Sequence, residues 1–270
     1  MTGVFCLCNE KCADGREAMR RFLVENLNAQ DGVCTITGPE ARHMTRVLRM
    51  EAGDRFVLMD GKGRRFLASI ESVMRQGVRV AILNPLPEPS PSPVTITLCQ
   101  ALLKSGPMEY LIQKTSELGV DHILPFSSLR TITILKRERL SNRMRRWREI
   151  AKSSAKQSGR VVPAQIDAPT SFRELTAKWK EEKEMKAILW EGGGATDLKG
   201  LLRGSSQAGK FIGMVGPEGG FTGEEIELAA DAGFIPVTLG NRILRSETAA
   251  TTMVAIVQYE WGDLGVKEGS

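Results

Sequence analysis

The chain has 270 residues, 41% of them hydrophobic and 26% charged, a globular composition sufficient for one large domain or two modest ones. No run of about 18 apolar residues occurs, so no membrane-spanning helix is expected, and the first residues lack the apolar core of a secretory signal. Five cysteines, an odd number without framework spacing, favour a reducing, cytoplasmic setting, and a net charge of +5 with pI near 9.0 suits an acidic partner.

Residues 1–18 hold Cys6, Cys8 and Cys12 with no adjacent histidine, a poor metal set. They are expected to be a disordered extension before "MRRFLVENL", and no metal is expected anywhere. Residues 19–83 read as a small β-barrel, with β-rich runs "RFVLMDG", "RRFLASIESV" and "GVRVAIL" and turns at Gly61/Gly63 and Gln76-Gly77. One helix, "GPEARHMTRVLRM", interrupts them. Helical spacing puts Ala41, Met44, Val47 and Leu48 on its apolar side and Arg42, Arg46 and Arg49 on the other. With Arg20 and Arg21 these arginines form a basic face suited to RNA. His43 reads as a barrel residue rather than a catalyst.

Proline occupies every second position from Pro85 to Pro93, which blocks helix and disfavours a central strand, so residues 84–93 read as an interdomain linker. From residue 94 to 270, strands and helices alternate, arguing for a mostly parallel α/β sheet. "VTITLCQAL" is a strand, "GPMEYLIQKTSELG" a helix stopped by Gly119, and "DHILPFSS" a strand. Residues 136–160 form a basic helix with ten lysines and arginines against two glutamates. That one-signed run, which includes Arg143, Arg145, Arg146 and Arg160 and has Trp147 in its middle, fits a polyanion better than a plain solvated face. A helix around 172–183, strands "KAILWEG" and "KFIGMVG", a Thr222/Glu225 capping box, a strand "IPVTLG" and a final helix to Trp261 follow.

Ligands of such sheets sit at the carboxyl ends of the strands, where "EGGG", "GPEGGF" and "LGNRILRSETAA" fall. These turns offer acids where a phosphate loop needs lysine, and no dinucleotide fingerprint follows any strand. Backbone groups, small residues and leucine or isoleucine with acids nearby suit a neutral or cationic, partly flat ligand, such as an adenine nucleoside bearing a sulfonium. By residues alone, a non-catalytic RNA-binding or ribosome-assembly protein and an enzyme using a nucleotide phosphate stay open.

"GPEGGFTGEE" followed by "LGNRILRSETAA" resembles the paired signature of the bacterial 16S ribosomal RNA uridine-N3 methyltransferases of the SPOUT class. "MRRF" and "HMTRVLRMEAGD" are similar to that family's N-terminal PUA-like barrel, and "QALLKSGPMEYLIQKTSELGV" and "AKQSGR" to its central segments. The resemblance runs from Met19 almost to the end. It implies a C-terminal trefoil-knot α/β domain that binds S-adenosylmethionine and methylates N3 of a specific uridine, uridine 1498, in 16S ribosomal RNA of the small ribosomal subunit; action on another RNA is the alternative. Carried onto this chain, the cofactor would lie among Leu189, Glu191 and Gly192, then Gly216, Pro217, Glu218 and Gly219, then Leu239, Gly240, Ile243 and Leu244, with Thr248 and Ala249 as the floor. Leu239, Ile243 and Leu244 would clasp the adenine. Arg245 would stabilise charge developing on the uracil, with Arg242 as reserve or phosphate anchor, and Glu247 would hold Arg245 or act as base. The last helix has Ala249, Ala250, Met253, Val254, Ala255, Ile256 and Val257 on nearly every side. It is expected to be buried on most faces, and SPOUT enzymes pair through the knot domain, so a homodimer is implied.

Overall fold

A computed structural model describes residues 19–24, 27, 32–87, 90–133, 137–205 and 209–265. The N-terminal cysteines and the expected extension lie outside these residues. The chain divides into two compact units, Met1–Pro89 and Ser90–Ser270.

In the first unit β1 (Arg21–Leu23), β2 (Val33–Ile36), β3 (Arg55–Met59), β4 (Arg65–Met74) and β5 (Gly77–Leu86) form one sheet in the order β1-β3-β4-β5-β2. Only β1 and β3 run parallel. Phe22, Ile36, Phe56, Leu58, Ala68, Ile70, Val78 and Val80 point inward and make its core. The β4–β5 turn is Arg75-Gln76, because Met74 already pairs with Gly77. Gly77 belongs to the strand, and a Cβ there would meet the Ile36 carbonyl at 2.5 Å. The expected linker is shorter than 84–93. Asn84, Pro85 and Leu86 pair with Leu67, Phe66 and Arg65, beyond the Val78–Ala81 stretch that β2 covers on the other side. On that uncovered edge a missing proline N–H breaks no ladder bond.

The helix after β2 also differs from expectation. α1 (Gly38–Arg42) passes into a π-helical turn, His43–Val47. Leu48 N–H reaches back to the His43 carbonyl at 3.0 Å and Met50 N–H to the Met44 carbonyl at 3.0 Å. The wider turn breaks the 3.6-residue phase that groups Val47 with Ala41 and Met44. Val47 therefore swings outward to 66% exposure, and Met50 fills the core in its place. Arg49 closes the turn at φ 51°, the one non-glycine with positive φ among the described residues. A side chain in that region costs ~1–2 kcal/mol relative to the right-handed form.

The second unit is the expected α/β fold. Its strands are β6 (Thr95–Ala101), β7 (His122–Ser127), β8 (Gln165–Ile166), β9 (Thr170–Ser171), β10 (Met185–Leu189), β11 (Thr196–Asp197), β12 (Lys210–Val215) and β13 (Ile235–Thr238). All pairings are parallel, in the order β11-β13-β10-β12-β6-β7-β8, with β9 on β7. The helices are α2 (Ser105–Glu117), α3 (Arg137–Ser158), α4 (Phe172–Trp179), α5 (Leu198–Gly204), α6 (Gly223–Asp231) and α7 (Ser246–Trp261). The three two-residue strands and α5 are too short for periodicity to reveal, although Asp197 caps α5 by accepting from Gly200 N–H. Thr222 and Glu225 form the expected capping box on α6.

Two features of the basic helix need correction. Trp147 is 1% exposed and packs with Met144 and Ala151 in the core shared with α2 and α7, so it offers no face to a nucleic acid. Arg160 is spent on the protein. Its guanidinium donates to the carbonyls of Ser116 (3.2 Å) and Val120 and to Asp121 Oδ1 (2.9 Å), and burial pulls its pKa below the ordinary arginine value. It staples the α2–β7 loop rather than facing RNA.

Within the single chain the final helix buries one face. Ser246, Ala249, Ala250, Met253, Val254, Val257, Gln258 and Trp261 make one buried stripe at spacings of three and four. Ala255 and Ile256 are half-buried, and Thr248 and Tyr259 are exposed. Gln258 anchors the stripe, donating to the Gly119 carbonyl at 3.1 Å and accepting from Ser92 Oγ at 3.1 Å. The closeness of Gln258 also explains Gly119 beyond its φ of 99°, since a Cβ would stand 2.4 Å from Gln258 Nε2.

Candidate active site

The site is built at one edge of the parallel sheet. β10 lies between β13 and β12, and the register sets Leu189 beside Val237 and Ile188 beside Met214. The chain thus leaves three neighbouring strands at one level, and residues 189–192, 216–219 and 239–244 open side by side. Trp190 N–H donates to the Val237 carbonyl at 2.9 Å, joining the first turn to the third strand. Gly216 and Pro217 are buried, while Glu191, Glu218, Gly219 and Gly240 are exposed. Gly240 has φ 103° with open space where a Cβ would stand, and its N–H is held by Thr238 Oγ1 at 3.2 Å. The turn therefore needs glycine for its backbone shape.

Leu239 and Leu244 pack on the core, but Ile243 is 83% exposed, one of the most exposed apolar side chains described. Leu189 and Gly192 are half-buried, Ala249 is buried and Thr248 is exposed. Arg245 is the N-cap of α7 and makes no capping bond through its side chain. Arg242 and Arg245 are exposed and Glu247 is half-buried. Among the described residues these three form no ion pair with one another, so the clamp of Glu247 on Arg245 is not made.

Gln100, Ser246 and Arg130, and a second bond of Glu225 beyond its expected capping box, are contributions to this end of the sheet that the sequence did not mark. Gln100, at 0% exposure, lies on β6 beside Val215. Its Nε2 donates to Ser246 Oγ at 3.0 Å and to the Ala101 carbonyl at 3.0 Å, and Ser246 Oγ donates to the Gly216 carbonyl. This chain ties β6, the start of α7 and the second turn together, and leaves Gln100 Oε1 buried without a protein donor. Arg130, in the loop after β7, donates to the carbonyls of Gly219 (3.0 Å) and Phe221 (3.2 Å). Glu225, besides capping α6, accepts from Leu129 N–H at 2.9 Å. A lone glutamine ending an apolar strand, "TITLCQA", is the signal that could have revealed the first of these.

The expected RNA residues fall on both units. In the first, Arg20, Arg21, Arg42, Arg46 and Arg49 are exposed, and Arg20 Nη1 donates to the Leu48 carbonyl at 3.3 Å. In the second, Arg145 is exposed and bonded to Asn142, and Arg146 pairs with Glu109 at 3.1 Å. Arg143 is half-buried, with Nη1 lacking a protein acceptor. Arg143 and Arg146, with Glu109, Arg139 and Asn142, line a groove of about 380 Å³ over Trp147.

The edge suits a sulfonium nucleoside. Its turns supply backbone groups, leucine surface and the carboxylates of Glu191 and Glu218, with no lysine cradle for a polyphosphate. A family model of the RNA methyltransferase domain matches residues 90–258, and one of the RNA methyltransferase PUA domain matches residues 36–83. A parallel α/β unit of this kind behind a PUA unit defines a SPOUT-class RNA methyltransferase. Ribosomal RNA small subunit methyltransferase E of Mycobacterium bovis is 32% identical over 236 residues, which span 87% of this chain and 90% of that protein. The Bacillus subtilis protein of the same name is 27% identical over 249 residues, 90% of this chain and 97% of its own. The crystal structure of ribosomal RNA small subunit methyltransferase E from Neisseria gonorrhoeae, bound to S-adenosyl methionine, aligns with a TM-score of 0.79 at 34% identity, covering 91% of this chain and 99% of that one. This chain belongs to the ribosomal RNA small subunit methyltransferase E family.

Proposed function

We propose that the protein methylates N3 of a specific uridine, uridine 1498, of 16S ribosomal RNA in the small ribosomal subunit, using S-adenosylmethionine. The observation that carries this reading is the meeting of three turns on adjacent parallel strands, the second of them tied through Ser246 and Gln100 to the start of the helix capped by Arg245. Residues 189–192, 216–219 and 239–244, with Thr248 and Ala249, hold the cofactor. When bound, S-adenosylmethionine supplies a methyl group activated by its sulfonium.

The rest of the chemistry belongs to the uridine and to this chain. Uridine N3 carries a proton and is a poor nucleophile until that proton leaves. The charge left behind spreads onto O2 and O4. Arg245, exposed at the lip of the turns, donates paired N–H groups to that charge as it develops. Arg242 anchors a neighbouring phosphate or takes the same role in reserve. Glu247, which among the described residues pairs with neither Arg242 nor Arg245, accepts the N3 proton. The reaction takes place in the cytoplasm, where the subunit is assembled.

The working unit is a homodimer. Thr248, Thr252, Ala255 and Tyr259 lie on the side of α7 away from its buried stripe, an uncharged face that a second subunit covers. Incubating the full chain with methyl-labelled S-adenosylmethionine and small subunits from a strain lacking the enzyme tests the activity. Label should enter 16S ribosomal RNA. Saturable cofactor binding with no label in RNA would instead leave a non-catalytic binder, and competition by ATP would point to a phosphate ligand.

A further inference from the structure

The π-helical turn His43–Val47 and Arg49 carry more than a basic charge. Three independent observations meet there. Arg49 occupies the left-handed position that ends a helix, where glycine is the unstrained choice. The chain uses glycine at twelve other positive-φ positions among the described residues and arginine here. Val47, from a sequence position that helical spacing assigns to the core, stands 66% exposed. Around it Arg42, Arg46 and Arg49 are exposed, and among the described residues none spends its guanidinium on a protein acceptor. Strain retained in a rare turn, with an apolar tip ringed by uncommitted cations, is costly for folding and suits a ligand.

We infer that this turn is a contact for single-stranded RNA, in which Val47 packs on the face of an unstacked base while Arg42, Arg46 and Arg49 hold the flanking phosphates. The inference rests on the reading of the protein as a ribosomal RNA methyltransferase and adds which feature of the RNA the first unit takes. An RNA duplex presents phosphates, 2′-hydroxyls and base edges but hides its base faces, so an apolar tip is useful only where the stack is open. The guanidiniums account for affinity through counterion release. Arg49 places an exposed guanidinium at the end of the turn, two residues after the exposed Val47.

Arg49→Gly separates this role from a structural one, because glycine relieves the strain while removing the guanidinium. The full-length variant should be at least as resistant to denaturant as the parent. Its binding to an unmodified small subunit, and to a single-stranded oligoribonucleotide, should weaken, with the slope of log affinity against log salt falling by about 0.7 for the one phosphate left unneutralised. Val47→Ser should weaken binding to the single strand with no change in that slope. Calorimetry should show unaltered S-adenosylmethionine affinity in both variants. Parental RNA affinity in both variants, or equal competition by a duplex of the same sequence, would overturn the inference while leaving methylation by the parent intact. So would loss of self-association in Val47→Ser with RNA binding retained, which would assign the tip to a second copy. A parent enzyme that labels no ribosomal RNA would overturn the functional reading and this inference with it.

Discussion

Ser246 spends one hydroxyl on two buried partners, accepting from Gln100 Nε2 and donating to the Gly216 carbonyl. Removing it leaves the Gly216 carbonyl and one of the two Gln100 Nε2 hydrogens without this partner, the other hydrogen staying on the Ala101 carbonyl, and an unsatisfied buried group costs about 1–3 kcal/mol. Ser246→Ala should lose stability of that order in denaturant titration, and calorimetry should show weakened S-adenosylmethionine binding, because the second turn and the start of α7 are no longer tied. Ser246→Thr, which keeps the hydroxyl, should retain most of both. A Ser246→Ala protein of parental stability and cofactor affinity would mean that the turn holds itself. Little of this node is legible in the sequence. Gln100 and Ser246 are 146 positions apart, and only the parallel pairing of β6 with β12 brings them into reach. The turns themselves are legible, because glycine and small residues following apolar strands mark a carboxyl edge wherever the sheet is parallel.

At the scale of elements, alternation of strand and helix gives the second unit because each long element buries a stripe whose period shows in its own residues. α3 shows where that reading stops. Its charge is plain in the sequence, but the direction of Trp147 is decided by packing against α2, and the fate of Arg160 by the loop before β7. Arg143, Arg145 and Arg146 are the residues of α3 proposed to meet RNA. Reversing all three to Glu should lower the slope of log RNA affinity against log salt by about 0.7–0.9 for each phosphate no longer neutralised, with cofactor binding unchanged. An unaltered slope would remove α3 from the RNA. Trp147→Ala should instead cost about 3–5 kcal/mol of stability as a core truncation. At the start of α4, the Ser171 amide and hydroxyl and the Thr170 hydroxyl hold the Glu174 carboxyl down at about 2, against an ordinary 4.5. A depressed carboxylate favours the folded helix start when ionised. That contribution is therefore present above about pH 4.5 and is lost as pH falls through about 2. The Glu174 carboxyl followed by NMR should titrate near the lower value, and titration near 4.5 would show that these hydrogen bonds do not form in solution. In the first unit the π-turn defeats periodicity for a related reason. One widened turn changes the phase of every residue after it, and nothing in "HMTRVLRM" announces where the winding changes.

For the molecule as a whole, the two-unit plan is readable from the proline run, although the paired end of β5 moves the boundary several residues along. The dimer belongs to this scale. If the barrel of one subunit presents RNA to the cofactor of the other, Arg245→Ala and a barrel variant with Arg20, Arg21 and Arg46 changed to Glu should rescue each other when mixed. The mixed dimer then holds one site free of both defects. A monomer in sedimentation at assay concentration would remove the dimer, and a dimer without rescue would mean that each subunit serves its own RNA. The most direct measurement is single-turnover methyl transfer to unmodified small subunits by the parent and by Arg245→Ala, with the RNA digested to nucleosides and the product identified by mass. The parent should yield N3-methyluridine at one position. Arg245→Ala should bind S-adenosylmethionine normally and transfer its methyl group about 100–1000-fold more slowly, the usual effect of losing one donor to developing negative charge. A methyl group on a ribose or on another base, or undiminished transfer by Arg245→Ala, would contradict the site as described.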